Sequence, residues 1–152
     1  MMTSPFSIRN FQPADWDSIC EIHDLARPDE LKGSCDPRGF VPIREDPEIE
    51  HLITCQKIVA VDGDRVVGFI GVDQEYVGWL YIHPNYYRQG LGRRLLQAGL
   101  KLTPEKAWTI ALDNNLPALT LYQSEGFRET NRYVSDNAGY PVTCVRLERT
   151  GS

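Results

Sequence analysis

The sequence predicts an α/β protein with a central mixed β-sheet of about six or seven strands flanked by helices. Three observations carry that expectation. Two β-rich runs, Ile58-Val59-Ala60-Val61 and Val66 to Val72, enclose Asp62-Gly63-Asp64-Arg65, a hairpin signal that makes antiparallel neighbours. An apolar strand from Tyr76 to Ile82 passes through a glycine turn into an amphipathic helix. Beyond it, strand-like and helix-like segments alternate. Strands joined by hairpins beside strands joined through helices give a mixed sheet.

Taken in order, Ser7 to Phe11 reads as a short strand. Pro13-Ala14-Asp15 opens a helix, because the fixed φ of proline suits a first turn, and Trp16, Ile19, Ile22 and Leu25 or Ala26 fall on one face. Arg27 to Pro47 holds four prolines and two glycines among many charges, and reads as a loop with short helical pieces. Loops of that length are usually functional or mobile. After the hairpin, the strand from Tyr76 ends at His83-Pro84. Gly90 to Leu102 is helical, with Leu91, Leu95, Ala98 and Leu102 as a stripe that Leu96 and Leu100 widen, and Pro104 ends it. Trp108 to Leu112 is an apolar strand. Leu116 to Glu125 is a short helix with Pro117 in its first turn and Gly126 past its end. Phe127 to Glu148 reads as two strands about the turn Asp136-Asn137-Ala138-Gly139.

A chain of 152 residues with no repeat, linker or low-complexity tract reads as one domain, residues 1–152. Hydrophobic residues at 41% and charged residues at 24% exclude a disordered chain. The net charge of -5 argues against general nucleic-acid binding, which needs a basic face to displace counterions. There is no apolar N-terminal run, so neither a signal peptide nor a membrane span is expected, and the expected location is cytoplasmic. Cys20, Cys35, Cys55 and Cys144 form no Cys-x-x-Cys pair and no zinc spacing. They read as reduced thiols, and no metal is expected.

The most informative stretch is Trp79-Leu80-Tyr81-Ile82-His83-Pro84-Asn85-Tyr86-Tyr87-Arg88-Gln89-Gly90-Leu91-Gly92-Arg93-Arg94-Leu95-Leu96. Glycines let backbone approach a ligand, and the first turn of a helix leaves amide N–H groups unpaired, so an anion such as pyrophosphate is favoured there. Arg88, Arg93 and Arg94 add positive charge. An isolated Gly-x-Gly also serves as a plain chain reversal. No Gly-Lys-Ser/Thr follows, so a Walker loop is absent. The Rossmann spacing fails as well, because Leu95 stands three residues after Gly92.

This stretch resembles the coenzyme A signature of the GCN5-related N-acetyltransferases, Gln/Arg-x-x-Gly-x-Gly/Ala, with Gly90 and Gly92 in register and Tyr87 in place of the first Gln or Arg. A second stretch, from Asn115 through Ala118 and Tyr122 to Gly126-Phe127, is similar to that family's Asn-x-x-Ala-x-x-x-Tyr followed by Gly-Phe. The resemblance implies a GNAT-like fold and acetyl-coenzyme A as co-substrate. It implies a strand that splays open, whose backbone at Leu80, Tyr81 and Ile82 pairs with the pantetheine arm. It also implies pyrophosphate contacts from the backbone of Arg88, Gln89, Gly90, Leu91, Gly92 and Arg93. Asn115 is placed to cap its helix and to offer its amide to the pantetheine. Tyr122, seven residues on and two helical turns along the same face, is placed to protonate the departing sulfur.

The proton acceptor for the attacking amine is harder to find. The resemblance implies a base on the strand before the glycine turn, on the face looking into the cleft; by that alignment the face carries Gln74, Tyr76 and Gly78, and none is a good base. Glu75 and Asp73 point the other way unless a bulge intervenes, His83 reads as a turn residue, and ordered water is preferred. The resemblance implies that Arg27 to Pro47 and Asp136 to Tyr140 flank the acceptor cleft, with Asp29, Glu30, Asp36, Glu45 and Asp46 available to a cationic amine. The expected activity is direct acetyl transfer to a primary amine, on a small molecule or a peptide, with a homodimer left open. The alternatives are a non-catalytic acyl-coenzyme A binding or sensing module of the same fold, and a nucleotide-binding module using the same anion site.

Overall fold

The computed structural model describes residues 5–151. Its strands are β1 (Phe6–Asn10), β2 (Gln56–Asp62), β3 (Arg65–Asp73), β4 (Tyr76–Ile82), β5 (Lys106–Leu112), β6 (Arg128–Asn137) and β7 (Tyr140–Thr150). Its helices are α1 (Trp16–Leu31), α2 (Ile49–Thr54), α3 (Leu91–Leu100) and α4 (Leu116–Ser124). The strands form one sheet in the order β1-β2-β3-β4-β5-β7-β6. Every neighbouring pair is antiparallel except β4 and β5, so the sheet is mixed as expected.

The side-chain alternation of β2 shows how the layers are filled. Ile58 and Ala60 join Leu91, Leu95 and Leu96 of α3 and Tyr122 of α4 on one face. Val59 and Val61 join Ile19 and Ile22 of α1 and Leu52 of α2 on the other. Period-2 strands thus deliver alternate residues to two helical layers, which is why both hairpin strands read as nearly continuous apolar runs. Of the α1 stripe, Ala26 is buried, whereas Leu25 is exposed.

One expectation is corrected. The chain from Arg27 does not leave the helix, because α1 continues through Pro28 to Leu31. A proline there removes one i to i−4 bond, but it stands in the last turn, where burial of Leu31 against Leu112, Val142 and Cys144 anchors the end of the helix. The rest of the segment consists of short 3₁₀ turns at Pro37–Gly39 and Ile43–Glu45, followed by α2. The closing hairpin turns through Ala138 and Gly139, both at positive φ (51° and 91°), with Asn137 opposite Tyr140. That two-residue turn matches the right-handed twist of the strands.

Two irregularities in β4 position the site. Tyr76 opposite Trp108 is the one register pair between β4 and β5 among the described residues, so the two strands part beyond it. The register with β3 steps from Phe69 opposite Tyr81 to Gly71 opposite Gly78, which leaves an extra residue in β4. Trp79, at φ 50°, marks this bulge. Without it Val77, Trp79 and Tyr81 would share a face. Instead, Val77 enters the α3 core while Trp79 and Tyr81 pack with α1 and α2.

Candidate active site

A cleft of about 1320 Å³ opens where β4 and β5 part. The N-terminus of α3 forms one end. Gly90 is its N-cap in the left-handed region, at φ 79°, which suits glycine. A side chain placed there would meet nothing within 4 Å, so the backbone faces open space. The N–H of Arg94 makes the first bond into the helix, to the Gly90 carbonyl at 3.2 Å. The amides of Leu91, Gly92 and Arg93 precede that bond, and the helix dipole adds partial positive charge there. Unpaired backbone amides thus give this end of the cleft the positive character expected from the glycine turn.

The nearby arginine side chains are largely committed elsewhere. Arg93 donates to Ser124 Oγ at 2.8 Å and to Glu125 Oε2 at 2.5 Å, tying α3 to α4. Arg94 donates to the Phe6 carbonyl at 3.2 Å. Leu80, Tyr81, Ile82, Arg88, Gly90, Leu91, Gly92, Arg93, Asn115 and Tyr122 all contribute to the cleft wall; Gln89, which is exposed, does not. Asn115 caps α4, its side-chain oxygen accepting from the Ala118 N–H at 3.4 Å. Leu80 and Ile82 pack toward α3, while the Tyr81 side chain turns toward α1.

Tyr122 occupies the fork itself. It is buried, with its ring edge-on to Phe127 at 5.3 Å. Burial raises its pKa above the ordinary phenol value, and a hydrogen bond with Thr109 opposes that shift only in part. Thr109, itself buried, donates to the Val77 carbonyl at 2.6 Å, one residue past the last β4–β5 pair. A neutral phenol is therefore held where the strands divide. Thr109 is a site residue that sequence reasoning missed, because a threonine inside an apolar strand gives no distinguishing signal.

The other end of the cleft is aromatic and acidic. The Tyr76 ring lies 4.5 Å from Trp108 and 5.9 Å from Trp79. It fills the space above Gly78, where a Cβ would come within 2.8 Å of the ring, so Gly78 is needed as glycine by close approach. Burial pushes the Tyr76 pKa up to about 12. Tyr81 donates to Glu30 Oε1 at 2.7 Å, and Arg27 pairs with the same carboxylate while donating to Asn137 Oδ1 at 3.0 Å. Burial, then Glu30, raises the Tyr81 pKa well above its usual value. Asn137 in turn donates to the Gly39 carbonyl at 2.8 Å, locking the β6–β7 turn to the segment after α1.

Both segments expected to flank the acceptor contribute residues to the wall of this cleft. Asp29, Glu30 and Asp46 line it, whereas Asp36 and Glu45 do not. Asp36 is instead held by Arg38 through two side-chain bonds of 2.8 and 3.0 Å. Gln74, Tyr76 and Gly78 line the cleft, and so do Asp73 and Glu75, contrary to strict alternation. The reason is that Gln74 and Glu75 belong to a turn, with Gln74 at φ 54°, rather than to a strand. His83 is a turn residue as expected, its Nδ1 accepting from the Asn85 N–H at 3.1 Å.

An acetyltransferase (GNAT) domain profile matches residues 54–129 of this sequence. The uncharacterized N-acetyltransferase YafP of Escherichia coli is 28% identical over 124 residues, covering 80% of each chain. The peptidyl-lysine N-acetyltransferase YjaB of Salmonella typhimurium is 30% identical over 90 residues, or 59% of this chain and 61% of its own. A GCN5-related N-acetyltransferase from Rhodopseudomonas palustris has the same fold, with a TM-score of 0.83 at 19% identity over 99% of this chain and 98% of its own.

Proposed function

Because the chain belongs to the GNAT acetyltransferase family, we propose that it transfers the acetyl group of acetyl-coenzyme A directly to a primary amine. The observation that carries this reading is Tyr122, a buried phenol of raised pKa, at the fork of a cleft whose one end is the N-terminus of α3. The backbone amides of Leu91, Gly92 and Arg93 hold the pyrophosphate. The free edge of β4 from Leu80 to Ile82 lies alongside the pantetheine arm, and Asn115 offers its amide to it. This arrangement brings a thioester to the fork.

The amine nitrogen attacks the thioester carbonyl, the C–N bond forms, and the C–S bond breaks. Tyr122 gives its proton to the departing sulfur, and the amine loses one. A phenol whose pKa lies above the ordinary value near 10 keeps that proton through neutral pH. The acceptor arrives as a cation at an end of the cleft carrying Glu30, Asp46, Glu48, Asp73 and Glu75 among aromatic rings. Such walls suit an ammonium group, which is attracted both by carboxylates and by ring faces. A lysine side chain meets that description, and YjaB is named for acetylating peptidyl lysine.

A panel of small amines and lysine peptides, assayed with acetyl-coenzyme A and detection of the released thiol, tests the reading. Amine-dependent thiol release is expected. Tight coenzyme A binding with no turnover on any amine would favour a sensing module. Calorimetric preference for ATP over coenzyme A would overturn the assignment of the anion site.

A further inference from the structure

The reaction needs a group to take the proton of the incoming ammonium, and the carboxylates of the acceptor end are unequally free. Glu30 accepts from Tyr81 and pairs with Arg27. Asp73 is engaged with His51: the two approach to 2.7 Å, Nε2 to Oδ2. His51 belongs to α2, which lies beyond Pro47 in a span to which the sequence patterns assign no element. It lines the cleft, and its ring is held by stacking on Tyr76 at 5.9 Å and by an edge contact with Trp79 at 4.7 Å. Those two residues are walls of the acceptor end, and the β4 bulge is what turns Trp79 toward α2.

The other two imidazoles are placed differently. His83 is bound into its turn by Asn85 and approaches Arg65. His23 is buried at 3% exposure, with its Nδ1 2.9 Å from Asp24. The His51 side chain keeps 33% of its surface exposed.

We propose that His51, oriented by Asp73, is the proton acceptor for the attacking amine. This inference rests on the amine-acetyltransferase reading above. An ionised carboxylate only accepts, so the Asp73 contact fixes the proton of the neutral ring on Nε2 and leaves the lone pair on Nδ1. Nδ1 faces Glu48, 4.0 Å away and itself part of the cleft wall. The step balances simply. The ammonium gives one proton to Nδ1, directly or through one water, and becomes the neutral nucleophile. Asp73 stabilises the imidazolium that forms, in the manner of a base held by a carboxylate. The proton then leaves to solvent through the exposed part of the ring, the nitrogen gives up its second proton by the same route once the C–N bond has formed, and Tyr122 recovers from solvent the proton it gave to sulfur. Net, one ammonium and one thioester become one amide, one thiol and one proton.

The charged and titratable groups that share the cleft wall with the ring on this side are Glu48 beside α2, Asp46 before it, Asp73 and Glu75 about the β3–β4 turn, and Tyr76 on β4. Lys57 bonds the carbonyls of Leu52, Ile53 and Cys55 at the C-terminal end of α2.

The test is single-turnover acetyl transfer by the full chain, wild type and His51→Gln, from about pH 5.5 to 9, across the range in which imidazole titrates. Two acceptors are compared: a lysine-type amine of pKa about 10.4 and a peptide α-amine of pKa about 7.7–8.0. For the lysine-type acceptor, H51Q is expected to slow transfer about 10²-fold near neutrality, and the acid limb set by the imidazole should vanish. The loss should be smaller for the α-amine, should shrink as pH rises, and should be reversed in part by added imidazole. Asp73→Asn should give a lesser loss and move the acid limb, with coenzyme A affinity unchanged in both variants. A purely structural role predicts equal losses for both amines with no change in profile. That result, or a rate within about threefold of wild type, would overturn the proposal while leaving the acetyltransferase reading in place. Failure of the wild type to acetylate any amine would overturn both.

Discussion

The two ends of the cleft are built from different materials. At the donor end, one contiguous segment from Leu80 to Arg93 provides a free strand edge and a helix N-terminus, and the contacts on offer are backbone groups. At the acceptor end, side chains from α1, α2, the β3–β4 turn, β4, β5 and the β6–β7 turn converge on one aromatic, acidic chamber. A backbone site constrains sequence mainly where side chains must be missing. On the proposed reading such a site tolerates Tyr87 in place of the usual first residue, whereas Gly90 is needed at its positive φ. A side-chain site is free to draw its members from any part of the chain.

That contrast explains what was legible in the sequence. The glycine turn, the Asn115 cap and Tyr122 lie in short local motifs close to the elements that display them, so the family resemblance those motifs carry was enough to expect them on the cleft wall. The hairpin about Gly63 and the turn at Ala138-Gly139 were readable for the same local reason. The His51–Asp73 pair spans 22 residues, and the Arg27–Asn137 bond spans 110. No periodicity encodes such contacts. The bulge at Trp79 was also invisible, because a tryptophan at positive φ follows no propensity. Pro28 misled by its ordinary meaning, since a proline reads as a helix end unless a buried anchor such as Leu31 holds the turn beyond it.

The sharpest test of the boundary between the two ends is Tyr122→Phe, at the fork. Loss of the hydroxyl alone should slow single-turnover acetyl transfer by about 10²–10⁴-fold, with little change in coenzyme A affinity. Because burial raises the Tyr122 pKa, wild-type chemistry should show no alkaline loss from this group until above about pH 10. A wild-type chemical rate in the phenylalanine variant would make Tyr122 a packing residue and assign the acid role to water.

Next in size is the donor end. Gly90→Val forces a branched side chain into the left-handed region and into the open space before the helix, where the phosphates approach. Coenzyme A binding, followed by calorimetry, should weaken at least about tenfold, or about 1.4 kcal/mol. Gly92→Val should act in the same direction, its Cβ lying in ordinary contact with Leu121 at 3.4 Å. Unchanged affinity in a folded variant would remove the turn from the site.

Glu30→Gln probes the acceptor end. It removes a negative charge beside Arg27 and Tyr81 while keeping the shape of the side chain. KM for a cationic amine should rise about threefold to fivefold, the effect of a partly exposed charge pair worth about 0.7–1 kcal/mol. Coenzyme A affinity should stay put. A weakened coenzyme A affinity in this variant would show that the two ends are coupled through Tyr81.

The smallest expected effect is the most discriminating about how the donor end works. An arginine in a phosphate-binding turn invites the reading that its guanidinium holds the ligand. Here the Arg93 side chain reaches instead to Ser124 and Glu125, and it is the Arg93 amide that stands in the first turn of α3. Arg93→Ala leaves that amide in place, so coenzyme A affinity should fall by less than about threefold, under about 0.7 kcal/mol. The cost should appear in stability, through the lost tie between α3 and α4. It should be no more than about 1 kcal/mol, because the Arg93 side chain is 46% exposed and solvent screens the pair. Raising the salt concentration should shrink the stability difference between variant and wild type while leaving their affinity ratio nearly constant. A tenfold loss of affinity that diminishes with salt would place the guanidinium on the phosphates, and the donor end would then be a side-chain site like its counterpart.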